Sequence, residues 1–163
     1  MLTKSLIRLA ALIQLAMLFA CADYTAPNKI EDHSIGQFSL VSADEQALPA
    51  TVFDGIITAD PAPSFHLRVI ATSGTFSIDA SGHYTQHVEH DTVIDGVRNG
   101  RVIRGDHGDC TRTAAELRCV SSFLEGIEFT GVITGATIAI AQDLSGEGHL
   151  ATYRYTWVAP ATL

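Results

Sequence analysis

From residue 35 to residue 158 the chain repeatedly alternates apolar and polar side chains with a period of two, and turn residues break the alternation at short intervals. That period gives an extended segment one buried face and one wet face, and it cannot lay an apolar stripe along a helix. Gly36-Gln37-Phe38-Ser39-Leu40 alternates, and Phe65, Leu67 and Val69 are interleaved with His66 and Arg68. Ser73-Gly74 shifts the phase as a bulge does, after which Phe76 and Ile78 continue inward. Ala80-Ser81-Gly82 reads as a turn, and Tyr84 opens a long extended run. Ile127, Phe129 and Ile133 line a later strand, and in the last one Tyr153, Tyr155 and Trp157 share a face. No window after the N-terminal segment has the spacing of a helix of normal length. Short strands joined by tight turns in this order predict an all-β domain, an antiparallel meander that closes into a barrel of about eight strands. The alternation turns Phe38, Leu40, Phe76, Ile78, Tyr84, Leu117, Phe129, Ile138 and Ile140 inward.

Two hairpins fix register. Asn99-Gly100 is the strongest two-residue turn signal, pairing Val97 with Val102; Asp95-Gly96 is the alternative. In the other hairpin, a turn at Ala114-Ala115 faces Thr113 to Glu116 as a hydrogen-bonded pair. Alternation then makes Cys110 and Cys119 a non-hydrogen-bonded pair. Side chains approach most closely in such pairs, within disulfide reach.

The N-terminus has another character. Lys4 and Arg8 precede an apolar run over residues 9–20, broken only by Gln14 and too short to span a bilayer. A positive segment followed by such a run is a signal peptide, expected to be helical over residues 1–20. It ends in Leu18-Phe19-Ala20-Cys21, which resembles the lipobox of bacterial lipoproteins. The resemblance implies cleavage before Cys21, acylation of that residue, and anchoring on the outer membrane facing the periplasm. Ala20-Cys21-Ala22 also suits an ordinary signal peptidase cutting before Asp23, which would give a secreted or soluble periplasmic protein. Residues 21–34 read as anchor and flexible tether, and residues 35–160 as the barrel domain. Under either cleavage only Cys110 and Cys119 are left to pair, in an oxidising compartment.

Removing Lys4 and Arg8 from the ten basic residues leaves eight against eighteen acids, a net charge of −10 on the mature chain. Nucleic acid, which requires a basic footprint, is thereby excluded as a partner. His87 and Glu89 lie two apart on one strand face, and with His83 and His107 they form a candidate zinc set; solvated histidines on a polar face are the plainer reading. Asp106-His107-Gly108-Asp109 has the composition of a turn or an acidic loop. No nucleophile-elbow motif is present, and no cofactor is implied.

Gly36-Gln37-Phe38-Ser39-Leu40-Val41-Ser42, with Leu48-Pro49-Ala50-Thr51-Val52, is similar to the start of small bacterial lipoproteins with a lipocalin-like β-barrel. Gly74-Thr75-Phe76-Ser77-Ile78 resembles their first hairpin, and Phe129-Thr130-Gly131-Val132-Ile133 a late one. The resemblance implies a lipid-anchored, non-enzymatic module, an envelope scaffold or a carrier of a small apolar ligand. It also implies that Arg154 packs on Phe38. The ligand's entrance is expected among the loops carrying Leu48, Pro49, Pro61 and Pro63.

Mass spectrometry of the mature N-terminus is expected to show an acylated Cys21. An unmodified chain beginning at Asp23 would overturn the assignment.

Overall fold

The computed structural model of the chain describes residues 35–58, 61–113, 115–123 and 126–159. The expected signal peptide over residues 1–20 and the anchor and tether over residues 21–34, Cys21 included, lie outside the described residues. The strands are β1 (Gly36–Ala43), β2 (Gln46–Ala47), β3 (Ala50–Ile57), β4 (Phe65–Ile78), β5 (His83–Ile94), β6 (Val97–Arg112), β7 (Glu116–Ser121), β8 (Glu128–Thr134), β9 (Thr137–Gln142) and β10 (Ala151–Trp157). They form one antiparallel sheet in the order β2-β1-β10-β9-β8-β7-β6-β5-β4-β3, and a further pairing of β1 with β4 closes it. The result is an eight-stranded antiparallel barrel with β2 and β3 as flanking strands, an architecture consistent with a lipocalin-like barrel.

Closure depends on β1 bonding on both sides. Phe38 stands opposite Trp157 of β10 and opposite Phe76 of β4. After Ser39, β1 leaves β4 and continues along β10 to Ala43, while β3 takes the vacated edge of β4 from Ala50 to Ile57. Arg154 does not pack on Phe38. It sits on the exposed face of β10, opposite Ser42 and Ala139. The large partner at this point is Trp157, whose indole lies against Gly36 and donates to the Ile35 carbonyl at 3.3 Å. A Cβ on Gly36 would come within 2.9 Å of the indole nitrogen.

All nine residues that the alternation turns inward are buried. Phe76 is their hub, with ring centroids 6.3 Å from Phe38, 5.7 Å from Tyr84 and 5.8 Å from Tyr155. Tyr84 in turn meets Phe129 edge-on at 5.4 Å. The half of the barrel toward the β4–β5, β6–β7 and β8–β9 turns is thus filled by packed rings and aliphatic side chains. The expected irregularity near Ser73 is present, since Ala71 faces His90 while Ser73 faces Glu89.

The Cys110–Cys119 disulfide is formed, and its hairpin has the anticipated register, with Thr111 opposite Arg118 and Arg112 opposite Leu117. Thr113 N donates to the Glu116 carbonyl at 2.9 Å. The other hairpin turns at Asp95-Gly96, not at Asn99-Gly100. Ile94 faces Val97, and both turn residues have positive φ, 48° and 81°. Two consecutive left-handed residues give the twist that a right-handed hairpin needs. Asn99 instead is the extra residue of a bulge, because Val93 faces Arg98 while Thr92 faces Gly100. That insertion moves every later pairing by one, so His107 stands opposite Thr85. Asp106 to Asp109 are consecutive residues of β6, neither a turn nor a loop. Ile127 lies before β8 and is exposed rather than lining it.

Phe76→Ala is expected to cost about 3–5 kcal/mol, because the ring touches three other rings and its loss leaves a void that a closed barrel cannot collapse to fill. Chemical denaturation measures this; a near-neutral result would mean that the aromatic cluster does not hold the barrel.

Candidate functional site

Strand alternation that turns Tyr84 inward also turns in Gln86, Val88 and His90, and the phase that buries Cys110 also buries Gly108 and Asp106. The other half of the barrel therefore has a polar lining. Asp106 accepts from the Tyr84 hydroxyl at 2.8 Å, the Ser121 hydroxyl at 2.6 Å and the His107 backbone N–H at 2.8 Å. Gly108 makes the first of these bonds sterically possible. A Cβ there would collide with the Val120 carbonyl and stand 3.0 Å from the Tyr84 ring. Gln86 Nε2 donates to the Tyr155 hydroxyl at 2.7 Å, and His90 Nε2 lies 3.4 Å from the Tyr153 hydroxyl. Burial pushes all three phenols well above the ordinary tyrosine range, and for Tyr84 the Asp106 carboxylate adds to that effect. They therefore stay protonated.

Among the described residues, three buried side-chain polar atoms have no hydrogen-bond partner: Gln86 Oε1, His90 Nδ1 and Gln142 Oε1. An unpaired buried polar atom costs on the order of 1–3 kcal/mol, so each is a place where the interior gives up stability.

Gln142 borders a cavity of about 400 Å³. Its origin is topological. The β8–β9 ladder ends at Gly131 opposite Ile140, whereas β7 stays with β8 up to Glu128 and β9 stays with β10 up to Gln142. β8 and β9 thus part on the side of the β7–β8 and β9–β10 loops, and the cavity occupies the parting. Its apolar wall comes from Ile127, Phe129, Ala141, Leu144 and Leu150, and its polar wall from Asp106, Glu128, Gln142 and Asp143. Ser121 places one rim, since its N–H donates to the Ile127 carbonyl at 2.9 Å. Asp143 shapes the other. Its carboxylate accepts from Ser145 Oγ at 2.7 Å, Gly146 N at 2.9 Å and Gly148 N at 2.7 Å, tying the β9–β10 loop into a compact hook. Burial opposes the charge on Asp143, but these donors outweigh it and hold its carboxyl below the usual carboxylate range. The hook carries Leu144 and Ser145 into the barrel end, where Leu144 separates the large cavity from one of about 50 Å³ beside His90, Thr92 and Arg104.

The segments expected to frame the entrance, with Leu48, Pro49, Pro61 and Pro63, do not line either cavity. The candidate zinc residues do not converge. His83, His87 and His107 are exposed on the outer face; His83 pairs with Asp109 at 3.3 Å, and Glu89 is held by Arg101 at 3.1 Å. Among the described residues no group of three or more His, Cys, Asp or Glu side chains is arranged to hold a metal. No protein-family model, curated protein or solved structure matches the chain.

Burial beside Arg104 gives His90 a pH signature. Desolvation, with a smaller push from the Arg104 charge, lowers its pKa from 6.5 to about 4. The unfolded chain takes up a proton below pH 6.5 while the folded one does not. His90 thus contributes stability in full above that pH and loses it as the pH falls toward 4. The loss is expected to be on the order of 2–3 kcal/mol. Denaturant midpoints between pH 7.5 and 4.5 should fall in the parent chain and stay nearly flat in His90→Gln; equal slopes would show that His90 is solvated.

Proposed function

We propose that the chain is an exported, lipid-anchored barrel that binds a small molecule in the cleft between β8 and β9 and performs no chemistry on it. The observation that carries the reading is the cleft itself: an apolar wall bordered by a few polar side chains, at the end of a barrel whose other half is filled by packed rings. Pockets for small ligands combine apolar lining with a few placed polar groups in just this way. Export is supported by the N-terminal segment and by the Cys110–Cys119 disulfide, a bond that persists in oxidising compartments. Anchoring is supported by Leu18-Phe19-Ala20-Cys21 and places the site in the periplasm, held at the outer membrane.

The neutral fluorophore N-phenyl-1-naphthylamine is expected to gain intensity with the folded domain. The double variant Ile127→Asp, Leu150→Asp is expected to weaken that binding at least about tenfold, since two apolar contacts are replaced by hydrated charges. Both residues are more than half exposed, at 56% and 68%, so the fold should tolerate the changes. A probe that binds parent and variant equally, or neither, would overturn the cleft as the site.

A further inference from the structure

Strand β6 outruns its neighbour on one side. β5 pairs with it from Val97 to Asp109, whereas β7 joins it only from Gly108 to Arg112. In an antiparallel strand the N–H and C=O of one residue point to the same side, and successive residues alternate. Two bonds fix the phase. Cys110 N donates toward β5, to the Gly82 carbonyl at 2.7 Å, and the His107 carbonyl accepts from Ser122 N on the opposite side at 2.8 Å. The β5–β6 ladder runs without a shift from Gly100 to Asp109, so the N–H and C=O groups of Arg101, Ile103 and Gly105 point away from β5. Among the described residues nothing bonds to these groups, and residues 101–105 are all exposed, Ile103 at 63%. The charge on this edge is of one sign. From Val97 to Gly105 the sequence holds Arg98, Arg101 and Arg104 and no acid, in a chain whose formal net charge is −8. Arg98 and Arg101 bond to Asp91 and Glu89 on the β5 side. Arg104 forms no ion pair among the described residues, although it lines the smaller cavity together with Glu147.

We propose that the open edge of β6 captures an extended acidic segment of a partner protein, which adds a strand beside Arg101 to Gly105. A row of unpaired backbone groups is a template for an extended chain, because only such a chain presents donors and acceptors at the same spacing. The side chains then select among extended chains. In an antiparallel register a carboxylate opposite Arg104 supplies the counter-charge that this guanidinium lacks, a second one stands opposite Arg101, and a β-branched residue covers Ile103. The docking stretch is bounded at both ends. The Asn99 bulge breaks the ladder before it, and Ser122 occupies the His107 carbonyl after it. A second copy of this chain suits the edge less well. Pairing the edge with itself brings two arginine-bearing stretches together, and two chains of net charge −8 repel as they approach. The edge is separate from the cleft between β8 and β9, which none of residues 101–105 lines, so the two readings stand or fall apart.

Amide hydrogen exchange and a synthetic peptide test the idea. In the free protein the amides of Arg101, Ile103 and Gly105 are expected to exchange readily, while those of Val102 and Arg104, which point toward β5, are protected. Protection of the first three without a partner would show the edge already covered and overturn the proposal. The probe is a fluorescein-labelled peptide, Thr-Glu-Val-Thr-Glu-Thr, followed by polarisation at low ionic strength. It is expected to bind at least about tenfold more tightly than the same peptide with both glutamates replaced by lysine, and to slow exchange at those three amides. N-methylation of its valine keeps every side chain but blocks strand pairing, and should abolish binding. Arg104→Glu, at an exposed position, should remove the advantage of the glutamate peptide. Ile103→Pro should weaken both peptides, since it deletes an outward N–H on an edge where proline is tolerated. If that variant fails to fold, Arg104→Glu and the N-methylated peptide still decide. Absence of binding, equal binding of the two charge forms, or undiminished binding of the N-methylated form would each overturn the proposal. So would sedimentation showing a dimer that Ile103→Pro dissolves, which would assign the edge to a second copy.

Discussion

The structure depends on β1 bonding to two neighbours at once. Gly36 to Ser39 face β4 on one side, and Phe38 to Ala43 face β10 on the other. An open sheet of these strands would expose one row of unpaired backbone groups on β1 and another on β4, and its inner face would be wet. Once the edges join, every inward position is removed from water together, and its side chain must find neighbours inside a ring of fixed circumference. An eight-stranded ring is just wide enough for side chains to fill it. Phe38, Phe76, Tyr84, Tyr155 and Phe129 do so at one end, and the hydroxyls of Tyr84 and Tyr155 reach from that cluster toward Asp106 and Gln86. The tyrosines thus connect an apolar layer to a polar one, with their rings in the first and their oxygens in the second.

Closure also decides what the polar layer can be. Gln86, His90, Asp106, Ser121 and Gln142 would be ordinary solvent-facing residues in an open sheet. Inside the ring they must bond to one another, and the geometry satisfies most of them but leaves Gln86 Oε1, His90 Nδ1 and Gln142 Oε1 over. A sequence selected only for stability would place Leu or Val at such positions. Retaining the amides and the imidazole lowers stability, and one of those amides, Gln142, borders the cleft.

The strand pattern was legible because alternation is a local property, and it assigns Phe38, Leu40, Phe76, Ile78, Tyr84, Leu117, Phe129, Ile138 and Ile140 correctly to the core. The Cys110–Cys119 register was legible for the same reason: a two-residue turn and a count of positions determine it. The Asn99 bulge was not, since Asn-Gly serves a turn and a bulge equally well, and only the competing Asp95-Gly96 turn decides between them. A turn at Asn99-Gly100 would set His107 opposite Thr92 and an unbulged turn at Asp95-Gly96 would set it opposite Tyr84; the inserted residue places it opposite Thr85. Attention to histidines as a residue type favoured His83, His87 and His107, which point outward. The phase of Tyr84, followed two and six residues further, leads to Gln86 and His90, and the phase of Cys110, followed back, leads to Asp106. The signal for the polar interior was present in the alternation. The signal for the cleft was not, because a cleft made by the early end of one ladder belongs to two strands whose divergence no local pattern records.

That divergence explains why the cleft lies in the wall of the barrel rather than along its axis. The axis is unavailable at the aromatic end, and at the other end the Asp143 hook inserts Leu144 and Ser145. The wall opens where a ladder is interrupted, and β8 with β9 provides this. Their pairing stops at Gly131, a residue whose added Cβ would press to 3.2 Å against Ile138 and 3.3 Å against Ile140. The glycine lets these two isoleucines pack across the seam and seals it up to that level. Beyond it the strands separate, and Phe129 and Gln142 border a shared space. The seal and the opening are therefore consecutive parts of one seam, and the barrel keeps its aromatic core while its wall opens into a cleft.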